Sequence, residues 1–312
     1  MRHEKMFVIL LALVLVSVVL CSCGRDDADG VNSAESAYTW SRQADIGIMG
    51  ISACAPDHAW AVAWDKMYFF DGNSWTQRVE PQSVVEHVFC LDPQHSWASG
   101  QTGTIYFYDG LIWANQGETF EFINGISGTD PEHVWAAGGL GTIYFFDGDS
   151  WTKQYEGDTG FDAVFALDSQ HAWAATGSAI YFFDGDTWSV QDDSMGARDI
   201  SGVDDSHVWA MKDASIYFYD GADWSEQFTI ELENPNLLLS TNFMDISAVD
   251  PSHVWAVGTD ENGGVIFFFD GNTWDRQYVD EVAANFQCVF ALDEDHVWAG
   301  TGEGIYFGTT MP

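Results

Sequence analysis

Apolar and polar residues alternate along most of this chain in short runs, and each run ends at Gly, Asp or Asn. A period of two with frequent turn residues predicts extended strands, and no heptad or long amphipathic helix competes with it. The runs themselves recur. A His-x-Trp mark stands at His58, His95, His133, His171, His207, His253 and His296, at intervals of 37, 38, 38, 36, 46 and 43 residues. Seven residues before each His lies an apolar start: Ile51, Val88, Ile126, Val164, Ile200, Ile246 and Val289. After each Trp come a turn and an aromatic run such as Ile143-Tyr144-Phe145-Phe146, and all these runs but the last close in Asp-Gly-x-x-Trp.

Each unit thus predicts four short strands, the fourth beginning at the Trp of Asp-Gly-x-x-Trp. Four antiparallel strands per roughly 40 residues, repeated radially, make a propeller blade. The expected fold is all-β, a seven-bladed β-propeller of four-stranded antiparallel blades. The ends of the chain fit a ring. The last unit stops near Phe307 without a fourth strand, while Tyr38-Thr39-Trp40-Ser41-Arg42-Gln43 matches the fourth strand at Ser74-Trp75-Thr76-Gln77-Arg78. The N-terminal segment is expected to complete the last blade and remove the open seam a broken ring would leave.

With these motifs in view, the units resemble bacterial propeller repeats of the kelch and Asp-box type. The Asp-box consensus ends in Gly-x-Thr-Trp, as at Gly271-Asn272-Thr273-Trp274, but here Asp270 is next to the glycine, a degenerate form. The resemblance covers residues 37–307. Asp-box sialidases hold a carboxylate substrate with an arginine triad. Arg2 and Lys5 precede the repeats, and of the other eight basic residues Arg42, Arg78, Lys153 and Arg276 fall at outer-strand positions. There they are expected to guard sheet edges, and no arginine cluster can meet on the axis.

The first residues follow a different pattern. Arg2 and Lys5 precede an apolar run from Met6 to Leu20, short for a membrane span and suited to a signal peptide, with an uncleaved membrane anchor as the alternative. Leu20-Cys21-Ser22-Cys23 resembles the bacterial lipoprotein box, which implies lipidation at Cys23. The expected division is a leader over 1–22, an acidic tether over 23–36, the propeller over 37–307 and a tail over 308–312. The body is then exported and lipid-anchored on the outer side of a bacterial membrane, in the cell envelope.

Charge narrows the partners. Forty-eight acidic against ten basic residues give a net charge of −38, which excludes nucleic acid, because phosphate neutralisation needs basic clusters. The expected partner is a protein or a glycan, engaged by a monomer. No P-loop, nucleophile elbow or metal-binding Cys/His spacing is present, so neither a cofactor nor a metal is expected.

Candidate functional positions are those at which the repeats disagree. Two residues before each apolar start stand Met49, Glu86, Asn124, Asp162, Arg198, Met244 and Gln287, expected to ring the mouth of the central channel together with His87. Glu86-His87 and Arg198-Asp199 are the most chemically loaded pairs. Leu237, Leu238 and Leu239, in a loop inserted before the sixth unit, form a candidate partner surface. The recurring His residues read as structural, since six have Asp three residues earlier. Cys54, Cys90 and Cys288 read as small buried residues, with a Cys54–Cys90 bridge open to an exported protein. Binding or scaffolding is the expected role, with no catalytic residue assigned. The alternatives are a glycan-acting hydrolase or lyase using Glu86, Asp162 or His87, and an envelope-assembly lipoprotein.

Overall fold

A computed structural model of the chain describes residues 31–32, 37–118, 121–231, 241–280 and 285–310. The calls on Cys23 and on Leu237, Leu238 and Leu239 lie outside these residues. Seven antiparallel sheets form the blades. Their innermost strands, here called strand a, are Gly50–Ala55, His87–Asp92, Ile123–Asp130, Phe161–Ala166, Asp199–Asp204, Asn242–Asp250 and Phe286–Asp293. Each strand a touches that of the next blade, and the seventh touches the first, so the ring is closed. Strands b, c and d follow outward in chain order. In blade seven, strand d is Tyr38–Ala44, paired with Ile305–Thr310. The pairing of Tyr38 and Thr39 with Thr310 and Thr309 carries the sheet past the expected edge at 307. Val31–Asn32, within the expected tether, adds a fifth strand to blade six against Tyr278 and Val279.

Strand b explains why the repeat is so apolar. It lies between two neighbouring blades and is buried on both faces. Its Trp is at most 2% exposed in all seven blades, and the Ala that follows is fully buried in each. A methyl group at that place lets blades approach to the density of a protein interior. The turns between strands c and d follow from Asp-Gly. The Asp carboxylate accepts the N–H groups two and three residues on, at 2.8–3.1 Å. The Gly takes φ of +86° to +93°, a backbone that other residues resist.

Six of the recurring histidines are structural. In six blades the His Nδ1 lies 2.8–3.0 Å from the Asp three residues earlier, fixing strand b to its preceding turn. Burial alone would raise these carboxyls. The turn N–H groups and the imidazole outweigh it, so that Asp92, Asp130, Asp168, Asp204 and Asp250 are held below the ordinary range.

A second polar tie joins blade to blade. A Gln three residues after the strand-d Trp accepts the indole N–H of its own blade's strand b and that of the next blade's strand d. Gln154 takes Trp135 at 2.9 Å and Trp188 at 2.7 Å. Gln116, Gln191 and Gln227 repeat this arrangement. Blade one has Arg78 at that position, which has no acceptor to offer. There the indole nitrogens of Trp60 and Trp113 are buried without a partner.

Candidate functional site

The start of each strand a turns its side chains toward the axis, and the seven together enclose a channel of about 790 Å³. Met49, Glu86, His87, Asn124, Asp162, Arg198, Met244 and Gln287 all line it. The inter-blade loops and the turns between strands b and c surround this mouth, which explains why Glu86 accepts a hydrogen bond from Gln101 of such a turn at 2.8 Å. Asn124 is committed to the wall, donating to the Phe161 carbonyl of the next blade at 2.9 Å. Asp162 and Arg198 stand out into the channel. Enclosure by the wall raises the Asp162 carboxyl, and the charge of Arg198 opposes that rise without cancelling it. Gln287 Oε1 is buried without a partner. The ring thus presents two carboxylates, one guanidinium, two amides and two thioethers.

One residue deeper, side chains point into the seam with the following blade. Here the two loaded pairs divide. His87 is half-buried and lines the channel. Burial pushes its imidazole down to about 4, so it is neutral at physiological pH and a weak base. Asp199 accepts the Ile246 N–H at 3.0 Å, and Asp245 accepts the N–H groups of Ile246 at 2.9 Å and Val289 at 2.7 Å. These carboxyls satisfy the exposed edge of the next blade's strand a. Ser52, Ser127, Ser201 and Ser247 do the same two residues on, for the N–H groups of Cys90, Ala166, Ala248 and Ala291. Asp199 and Asp245 are also hydrogen-bonded to each other. Burial raises both, and the charge of Asp199 adds to the rise at Asp245, so the pair retains a proton. Asp199 is therefore a staple between blades rather than a free channel group, and sequence reasoning passed over Asp245.

The pair carries a pH signature. A carboxyl whose folded pKa lies above its unfolded value binds its proton more tightly in the fold. Stability then falls as pH climbs from the ordinary carboxylate range through the raised value, by up to about 1.4 kcal/mol per pH unit for one proton. Asp245→Asn keeps a neutral partner for Asp199. It is expected to flatten this part of the profile, gaining stability relative to the parent chain as pH rises from 5 to 8 in urea titrations. A parallel decline in both proteins would count against a shared proton.

The mouth also has an apolar rim. Trp64 is 51% exposed at the turn between strands b and c of blade one, and it holds a left-handed backbone at φ +55°. Phe122 and Leu140 are exposed on the same face at blade three. No sequence signal singled these out. Among the outer-strand charges, Arg42 pairs with Asp45 at 2.9 Å on the rim, as edge residues do. Arg276 instead reaches the buried carboxylate of Asp260, because the inserted 259–264 segment extends the hairpin of blade six over it.

No protein-family model matches the chain, and no curated protein matches it. Solved structures do. The chain is similar to YCF48 bound to D1 peptide, at 18% identity and a TM-score of 0.70, covering 91% of this chain and all of that one. It is similar to a catalytically inactive virginiamycin B lyase from Staphylococcus aureus with quinupristin, at 14% identity and a TM-score of 0.71, covering 88% of this chain and all of that one. The WD40 propeller of Doa1 is similar at 14% identity and a TM-score of 0.68, covering 88% of this chain and 97% of that one. At these identities the likeness is one of fold, shared with a protein bound to a peptide and with a lyase.

Proposed function

We propose that this chain is an exported, lipid-anchored binding module that engages a protein at the cell envelope through the mouth of its channel. The observation that carries this reading is the break in the repeat. Seven blades agree at nearly every buried position and then present a ring of unlike side chains at one mouth, with both signs of charge. A scaffold position free of packing demands, placed in a concavity, is where recognition is built. The rim favours a protein segment over a glycan as occupant. Trp64 stands half exposed at the tip of a two-residue hairpin turn, and exposed aromatic side chains of this kind anchor protein interfaces. The YCF48 structure, with its bound peptide, supports the choice. A net charge of −38 would draw a basic segment in preference to an acidic one. A role in envelope assembly is one form of this reading.

The test is a crosslinking pull-down from native envelopes, comparing the parent chain with a variant carrying Glu86→Ala, Asp162→Ala and Trp64→Gly. A protein recovered by the parent, and reduced at least about tenfold by the variant, is the expected result. Equal recovery by both would remove the mouth as the site. The rival reading is a glycan-acting hydrolase or lyase, supported by the raised carboxyl of Asp162, which shares the channel with Glu86. Turnover of an envelope glycan that is lost in Asp162→Asn and Glu86→Gln, with glycan binding retained, would establish it in place of the scaffold.

A further inference from the structure

Blades one and two depart from their sisters at four positions that meet in one place. In blade one, His58 follows Ala55 where the other six repeats have the Asp partner, and its Nε2 is buried without a hydrogen-bond partner. Cys54 occupies the bulge residue of strand a, where the other repeats have Leu, Val or Thr. Cys90, in strand a of blade two, replaces Ala or Gly. Ser96, across from Cys90 on strand b, replaces Ala or Val, and its buried hydroxyl donates to Cys90 Sγ at 3.3 Å. The donor atoms of Cys54, His58 and Cys90 all lie within 4.8 Å of one another, and the cysteines are free thiols.

We propose that Cys54, His58 and Cys90 form a binding site for a thiophilic divalent cation, Zn2+ in the first instance, bridging blades one and two. Two sulfurs and one imidazole are the donor set such ions select, and the Ser96 hydroxyl is placed to support the Cys90 thiolate as an outer-shell partner. The location gives the site a purpose. This seam has Arg78 in place of the Gln that ties two tryptophans across neighbouring blades in four other seams, and both of its indoles are unpaired. A cation held by both blades would restore the missing tie. The spacing of the three residues gave no metal signal, because the third ligand comes from another blade. A cation ionises the cysteine thiols that coordinate it, so binding one ion at Cys54 and Cys90 releases two protons to solvent. Affinity is thus expected to rise with pH.

The test uses the full chain, purified in detergent under reducing conditions and freed of metal. Titration with Co2+ should give a thiolate-to-cobalt charge-transfer band that saturates at one equivalent and is displaced by Zn2+. His58→Ala, Cys54→Ser and Cys90→Ser should abolish the band, while His95→Ala, which removes an Asp-paired histidine, should retain it. Ser96→Ala places in blade two the residue that blades one and four already have there, so it preserves the fold. It should weaken binding about tenfold. A measurement on the parent chain alone avoids reliance on any variant. Zn2+ should slow alkylation of Cys54 and Cys90 by at least tenfold, read by mass spectrometry, and leave Cys288 unaffected. The proposal fails if Zn2+ leaves the alkylation of Cys54 and Cys90 unchanged. It also fails if the two cysteines form a disulfide in the presence of Zn2+.

Discussion

A chain that begins at Asp45 is expected to lose the propeller entirely. The segment it lacks, Tyr38–Ala44, is strand d of blade seven, and its removal exposes the edge of Ile305–Thr310. Tyr38 and Trp40 are 1% and 4% exposed, packed with Trp255, Phe268 and Tyr278 across the seam between blades six and seven. The Tyr38 ring meets Trp255 at 5.3 Å and Phe268 at 5.0 Å. Truncating one such buried aromatic costs about 3–5 kcal/mol. The deletion removes two, along with a full strand of backbone hydrogen bonds, against a total stability of about 5–15 kcal/mol for an ordinary domain. Loss of the near-ultraviolet circular dichroism of the tryptophans, with aggregation on size exclusion, is the expected readout. Tyr38→Ala should lower stability by about 3–5 kcal/mol without abolishing the fold. A native-like spectrum for the truncated chain would show that the ring closes without this strand.

Gln154→Leu is expected to destabilise the protein by about 2–5 kcal/mol, more than its half-buried place on an outer strand suggests. One carbonyl oxygen serves the indoles of Trp135 and Trp188 in adjacent blades. Leucine has nearly the same shape and leaves both N–H groups buried and unpaired, at about 1–3 kcal/mol each. The reverse change belongs to blade one. Arg78→Gln should provide the absent acceptor for Trp60 and Trp113, offset in part by loss of the Arg78 guanidinium above the Phe69 ring at 5.4 Å. The net expectation is a gain of about 1 kcal/mol, or roughly 2 °C in Tm. Urea denaturation of both variants checks the pair. A stable Gln154→Leu, or an Arg78→Gln that loses stability, would dismiss the shared acceptor as a source of cohesion.

How much of this could be read from the residues depends on the range of the interactions. The blade count, the four strands and the closing role of Tyr38–Ala44 were legible, because a period of two and a unit of about 40 residues are local patterns that repetition makes unmistakable. The positions of the channel residues were legible by the same logic, since a repeat that disagrees at one position has lost a shared constraint there. The direction of neighbouring side chains was not. Asp199 and Asp245 serve N–H groups on the next blade, 44 to 47 residues away, and nothing near either residue reveals that. Trp-x-x-Gln was present in six fourth strands, yet its meaning needs two indoles from different units. Arg276 suited an edge by composition, and only the extended hairpin of blade six shows the buried carboxylate it answers.

The closing strand also sets a clock. Tyr38–Ala44 is made early, and Ile305–Thr310, its partner, emerges some 260 residues later. At ribosomal rates of about 5–20 residues per second, the early segment waits for tens of seconds with Tyr38 and Trp40 uncovered. Individual blades can form in the meantime, but the circle cannot be sealed before Ile305–Thr310 has been made. A nascent chain that stalls anywhere in its seventh blade is left open, with unpaired edges. Such edges are templates for pairing with other chains, so the ring becomes safe from aggregation only when its seventh blade is finished.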